Sequence, residues 1–251
     1  VYEIPIHQTS NLGFNLKENL KNEDIVNMIP IYKEDLESED IYIMTATKEN
    51  RIKLMEIKEF KNIRKNEGLM YLKMISKKDG SITDEVLTVQ KIDCNTVNSI
   101  IALNNKGNAI RVALEDLPIS LRPAYGSYLF DNSVIVDNNS SVMSVTTVQD
   151  DKKYFFVTTV NGIGKLMETR EFTCIKRNTK GKIVCKLNDN DQALKILNCN
   201  KEDNILMITN KNIVNIKLES VPIYKRPTFG CKVKKLAKNE MIIDCLINEN
   251  N

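Results

Sequence analysis

The side chains of this 251-residue chain that could do chemistry are mostly cations, and they recur at matched places. One set lies in or beside four short stretches, NIRKNEG, LRPAYG, IKRNTKG and YKRPTFG: Lys61, Arg64 and Lys65; Arg122; Lys176, Arg177, Lys180 and Lys182; Lys225, Arg226, Lys232, Lys234 and Lys235. A second set is Arg51 and Lys53, Arg111, Lys165 and Lys217. Such groups bind phosphate oxygens by charge, release counterions and read no bases. Taken singly, each reads first as an ordinary solvated side chain; the recurrence argues for the group. Other chemistries lack their parts. The single histidine, His7, and six scattered cysteines without C-x-x-C spacing offer neither a zinc set nor a Cys–His couple, and the thiols read as reduced and buried. No metal and no cofactor are expected. The acids Glu56, Glu59, Glu115, Asp116, Glu168, Glu171 and Glu219 recur at equivalent corners, which marks them as structural, capping loops or pairing with neighbouring cations. No copy holds an unrepeated nucleophile–base set, so the chain is expected to have no catalytic residue and no activity alone.

The net charge of +3 conceals an uneven spread. Residues 1–50 hold four Lys/Arg against ten Asp/Glu, whereas residues 161–238 hold 17 against seven. The first region includes the acidic cluster Glu34, Asp35, Glu37, Glu39 and Asp40, expected to be a solvated loop. Hydrophobic residues make up 42% and charged residues 27%, a globular composition. No apolar run approaches the roughly 20 residues of a membrane span, and no targeting leader is visible. The opening VYEIPI reads as a strand, so a piece of something longer is expected. Lysine outnumbers arginine 29 to seven and asparagine is abundant, a bias that an AT-rich genome imposes through its codons.

The elements that must carry these cations come from a repeat. IYIMTATKENRIKLMEIKEF, SIIALNNKGNAIRVALEDLP, YFFVTTVNGIGKLMETREF and NILMITNKNIVNIKLESVP share an apolar run, a polar turn, a second strand and an acidic corner. The turn position is Asn50, Gly107, Gly162 and Asn212, the two residue types that best tolerate left-handed backbone angles. A second glycine follows 18 or 19 residues later, at Gly68, Gly126, Gly181 and Gly230, each closing a basic stretch. LGFNLKENLKNEDIVNMIPI matches the second half of the unit with Gly13 at that landmark. Short strands at this spacing, with almost no helical periodicity, predict an all-β, propeller-like array of four-stranded blades that bury their faces by stacking. About five blades are expected in a single domain, with residues 1–40 as an incomplete first blade and 41–98, 99–153, 154–203 and 204–251 as full repeats.

At these residues the repeat resembles the C-terminal domains of the A subunits of DNA gyrase and the related topoisomerase IV. The family pattern is an apolar run, T-x-x-G-x-x-K/R, an acidic residue with an aromatic or apolar corner, and a basic loop ending in Gly. TTVNGIGKLMETREF followed by KRNTKGKIVCKL, residues 158–187, matches it best. The resemblance implies a β-pinwheel, in which neighbouring blades exchange a strand, and a rim that bends duplex DNA to support ATP-driven negative supercoiling. It implies three partners: double-stranded DNA, the ATPase B subunit, and the rest of the A subunit; no membrane is implied. The nucleophilic tyrosine of the family belongs to a breakage domain that this chain does not contain. The family's basic heptad Q-R-R-G-G-K-G is absent and would lie before Val1, so gyrase and topoisomerase IV stay open on motif grounds. The Lys/Asn bias and drifted turns fit an apicomplexan plastid (apicoplast) or the cytoplasm of a low-GC bacterium. A propeller-type protein-interaction scaffold, with cations serving solubility, is the alternative class.

If the repeats ring a disc, both cation sets fall along one edge as a discontinuous basic track. Bending 20–30 base pairs by 40–90° costs on the order of 1–6 kcal/mol, which contacts spread over an arc can offset. The track is lopsided: the two C-terminal blades are expected to grip most strongly and the acidic N-terminal region least.

Overall fold

The computed structural model describes residues 25–62, 70–74, 84–137 and 139–248. The first repeat contributes β1 (Ile41–Thr47), β2 (Arg51–Glu56) and β3 (Val86–Asp93). The second contributes β4 (Val97–Asn104), β5 (Asn108–Ala113), β6 (Ser127–Tyr128) and β7 (Val142–Gln149). The third gives β8 (Tyr154–Thr159), β9 (Ile163–Glu168), β10 (Lys182–Ile183) and β11 (Ala193–Cys199). The fourth gives β12 (Asn204–Thr209), β13 (Ile213–Lys217), β14 (Cys231–Lys232) and β15 (Ile242–Asn248). Four antiparallel sheets result, ordered β3-β1-β2-β6, β10-β5-β4-β7, β11-β8-β9-β14 and β13-β12-β15. The two-residue strands β6, β10 and β14 each follow a landmark glycine and pair with the hairpin of the preceding repeat. The architecture is the all-β, propeller-like pinwheel with strand exchange.

The apolar runs are continuous because both faces of a blade are covered. In β4, Ile100 and Ala102 pack with Met44, Ala46, Ile52 and Leu54 of the first sheet. The alternate residues Ile101 and Leu103 pack with Phe155 and Val157 of the third sheet. The core therefore lies between blades. Along the inner side, β3 lies beside β7, β7 beside β11, and β11 beside β15.

Each described four-stranded sheet takes its short strand from across a repeat boundary, the exchange that the resemblance implies. Other expectations need correction. Of the incomplete first blade, residues 1–24 lie outside the described residues, and residues 25–32 carry no regular element. The acidic cluster is partly helical: α1 (Lys33–Glu37) places Asp35 against Lys91 at 2.8 Å and Glu37 against Lys61 at 2.6 Å. A second short helix, α2 (Asn132–Asp137), follows β6. Asn50, Gly107 and Gly162 have φ of 74°, 79° and 80°, but Asn212 is not left-handed. The last hairpin is one residue tighter: Ile208 pairs with Ile213, whereas Thr158 pairs with Gly164 and Ala46 with Ile52. The Thr209 hydroxyl holds it by accepting from the Lys211 and Asn212 amides at 3.1 and 3.0 Å.

Candidate nucleic-acid interface

Each described basic loop is fastened at both ends to the blade before it. On entry, Ser120, Ile175 and Tyr224 donate their amides to Leu54, Arg111 and Leu166 at 2.8–2.9 Å. On exit, Leu129, Val184 and Val233 donate to the carbonyls of the turn residues Asn50, Gly107 and Gly162 at 2.8–3.0 Å. The loops also touch one another. Parallel bridges join Leu72 to Ala124, Phe130 to Thr179 and Cys185 to Thr228, each linking the strand after one landmark to the loop before the next. One hydrogen-bonded line thus runs through successive loops.

The cations on this line fall into distinct environments. Lys176, Lys180, Lys225, Lys232 and Lys235 are exposed, and among the described residues none forms an ion pair. Arg177, Lys182 and Lys234 beside them are half-buried; the Lys182 ammonium reaches the Thr173 hydroxyl at 3.4 Å. Lys217 is exposed at the end of β13, away from any described basic loop strand. Lys61 is bound to Glu37, and Arg64 and Lys65 lie outside the described residues.

The arginines act mainly as staples. The Arg122 guanidinium lies 3.8 Å from Glu59, and that of Arg226 lies 4.7 Å above the Phe172 ring while its amide faces Glu171 at 3.3 Å. Each thereby fastens a loop to the acidic–aromatic corner of the blade before it, as the recurrence of those acids suggests. Arg111 donates to the Ser99 hydroxyl at 2.9 Å and the Phe172 carbonyl at 3.0 Å. Arg51 lies 4.6 Å above the Tyr128 ring and donates to the Tyr128 hydroxyl at 3.1 Å.

Lys53 and Lys165 do not belong to the rim. Both are 1% exposed. The Lys53 ammonium donates to the Tyr71 carbonyl at 2.7 Å and lies 4.5 Å from that ring's centroid. Lys165 reaches the Thr228 hydroxyl at 3.0 Å. Burial lowers the pKa of both, and Arg122 adds to the effect at Lys53. Lys53 and Lys165 stand three residues after their turns and Arg111 four after its own, so Arg111 leaves the opposite side of the sheet from the other two. Conversely, the exposed Lys186 stands on the line of loops, since its amide donates to the Thr228 carbonyl at 3.1 Å. Its signal in the sequence was its place five residues after the landmark Gly181, as Lys235 stands five after Gly230.

The family model for the DNA gyrase C-terminal domain, beta-propeller, matches residues 42–82, 98–124, 153–200 and 203–249, one stretch per repeat. The chain belongs to this family. The DNA gyrase A subunit of Ureaplasma parvum is 25% identical over 247 residues, which cover 96% of this chain and 27% of that protein. Its counterpart in Metamycoplasma arthritidis is 29% identical over 221 residues, covering 86% of this chain and 22% of its own length. The chain thus spans about a quarter of the curated relatives it matches. Among solved structures, a C-terminal domain of DNA topoisomerase IV aligns with a TM-score of 0.78 at 22% identity, covering 94% of this chain and 70% of that one. A DNA gyrase A C-terminal domain aligns at 0.70 and 18%, covering 92% and 76%. These likenesses show the shared pinwheel fold.

Proposed function

We propose that this gyrase A C-terminal-domain family chain binds duplex DNA without sequence preference and bends it along the rim, in support of negative supercoiling by a DNA gyrase. The observation that carries the reading is the line of loops bonded edge to edge, whose third and fourth members carry exposed lysines without an ion pair among the described residues. Contacts spread along an arc favour a curved duplex over a straight one, whereas a single cluster would bind without bending. The sequence relatives named above are gyrase A subunits, which favours gyrase over topoisomerase IV. They are bacterial, which favours a bacterial cytoplasm over a plastid. The implied partners are DNA, the ATPase B subunit and the remainder of the A subunit; none of the described helices is long and apolar enough to cross a membrane.

The test is duplex affinity against salt. A log–log slope of several units supports phosphate tracking, at about 0.9 per neutralised phosphate. No binding at low salt favours the interaction scaffold. Charge reversal at Lys176, Arg177, Lys180 and Lys182 is expected to weaken binding more than reversal at Lys61, Arg64 and Lys65, because Lys61 already has Glu37 as its counterion. Equal losses would contradict the asymmetry.

A further inference from the structure

We infer that Lys165 is a positioning residue for the rim: its buried ammonium pins the loop 225–228 from beneath and so presents Lys225 outward. The inference rests on the DNA-binding reading above. Three neutral oxygens surround the Lys165 Nζ: the Thr228 hydroxyl at 3.0 Å, the Thr228 carbonyl at 3.2 Å and the Lys225 carbonyl at 3.4 Å. The Thr228 hydroxyl in turn donates to the Lys225 carbonyl at 2.7 Å, so the loop is closed on itself and held at both ends by one cation. Among the described residues no carboxylate pairs with this ammonium. The ammonium is held by two carbonyls and a hydroxyl, with Glu171 acting on it from beyond ion-pair distance, and this fixes where those carbonyls must point and therefore where the side chains of the loop emerge.

The preceding loop supplies the contrast. There the Thr179 hydroxyl donates to the Lys176 carbonyl at 3.3 Å, the same closure. The residue of β5 matching Lys165 is Ile110, three after its turn glycine, so no ammonium lies beneath. The fourth basic loop carries a pin that the third lacks.

The experiment compares wild type with Lys165→Met, Thr228→Val, Lys225→Ala and the Lys165→Met/Lys225→Ala double variant. Hydrogen exchange is read at the Arg226 amide, and affinity for a random-sequence duplex of about 30 base pairs is read across salt concentrations. If the pin operates, Lys165→Met speeds exchange at Arg226 by about tenfold, the worth of a hydrogen bond to a charged group. It also lowers the salt slope by about 0.9, as Lys225→Ala does, and the double variant falls no further. Thr228→Val, which keeps the lysine, reproduces the faster exchange and carries the test if Lys165→Met does not fold. Unchanged exchange with a slope loss that adds to that of Lys225→Ala means that Lys165 touches DNA itself, and overturns the inference. A lowered melting temperature with an unchanged slope reduces Lys165 to a packing role and overturns it equally. If wild type binds no duplex, the functional reading fails, while the exchange arm still decides whether the pin exists.

Discussion

Asn50 combines a backbone requirement with a side-chain task. Its φ of 74° satisfies the tight hairpin turn, which glycine would do at least as well. Its buried amide also donates to the Phe130 carbonyl and accepts from the Phe130 amide, both at 2.7 Å, tying the first hairpin to the rim strand of the next repeat. Asn50→Gly should therefore destabilise the protein by about 1–3 kcal/mol despite the easier turn, measured by urea unfolding. The cysteines make a second point at this scale. Burial pushes the thiol of Cys185 up to about 11, and those of Cys199 and Cys245 up to about 12, from 9.0. The unfolded thiols lose their protons first as pH rises, so these groups contribute stability below about pH 9 that is lost as pH climbs toward their folded values. Urea midpoints should fall between about pH 9 and pH 10.5, and the fall should be shallower in a Cys199→Ala/Cys245→Ala variant. A thiol reagent at neutral pH should label the exposed Cys94 and Cys174 before the three buried cysteines.

At the level of elements, the described landmark glycines share one need and differ in a second. A Cβ at Gly126, Gly181 or Gly230 would stand 2.6, 2.7 or 2.5 Å from a backbone carbonyl oxygen of the hairpin it joins. Gly126 and Gly181 also have φ of 76° and 71°, the left-handed region that side chains resist, whereas at Gly230 space alone sets the need. Gly230→Ala should cost about 1–3 kcal/mol and raise exchange at β14, because the obstacle is backbone that cannot rotate away. Thr47, Thr159 and Thr209 hold equivalent places and each accepts a turn amide, but the Thr209 hydroxyl also donates to Glu240 at 2.9 Å. Thr209→Val should destabilise the fourth sheet by about 1–2 kcal/mol, read as faster exchange in β12 and β13 than in β8 and β9.

For the whole molecule, strand exchange makes the repeats interdependent. Residues 154–203 cannot complete the third sheet, which needs β14 from beyond residue 203. Unfolding by urea should accordingly be one transition, with circular dichroism and tyrosine fluorescence coincident, and a chain ending at residue 203 should lose stability in its third sheet as well as its fourth. Sequence alone determined the paired strands of the repeat, the left-handed turns at Asn50, Gly107 and Gly162, the landmarks Gly126, Gly181 and Gly230, the stacking of blades and the basic stretches, because these depend on local backbone chemistry and on apolar runs that only two-sided burial can satisfy. It could not assign the cations their tasks. Lys53, Lys165, Lys176 and Lys225 are the same residue type in the same kind of repeat. What separates a buried lysine from an exposed one is which segment closes over each side chain, Tyr71 over Lys53 and the loop of the next repeat over Lys165, and those contacts exist only once the blades have packed.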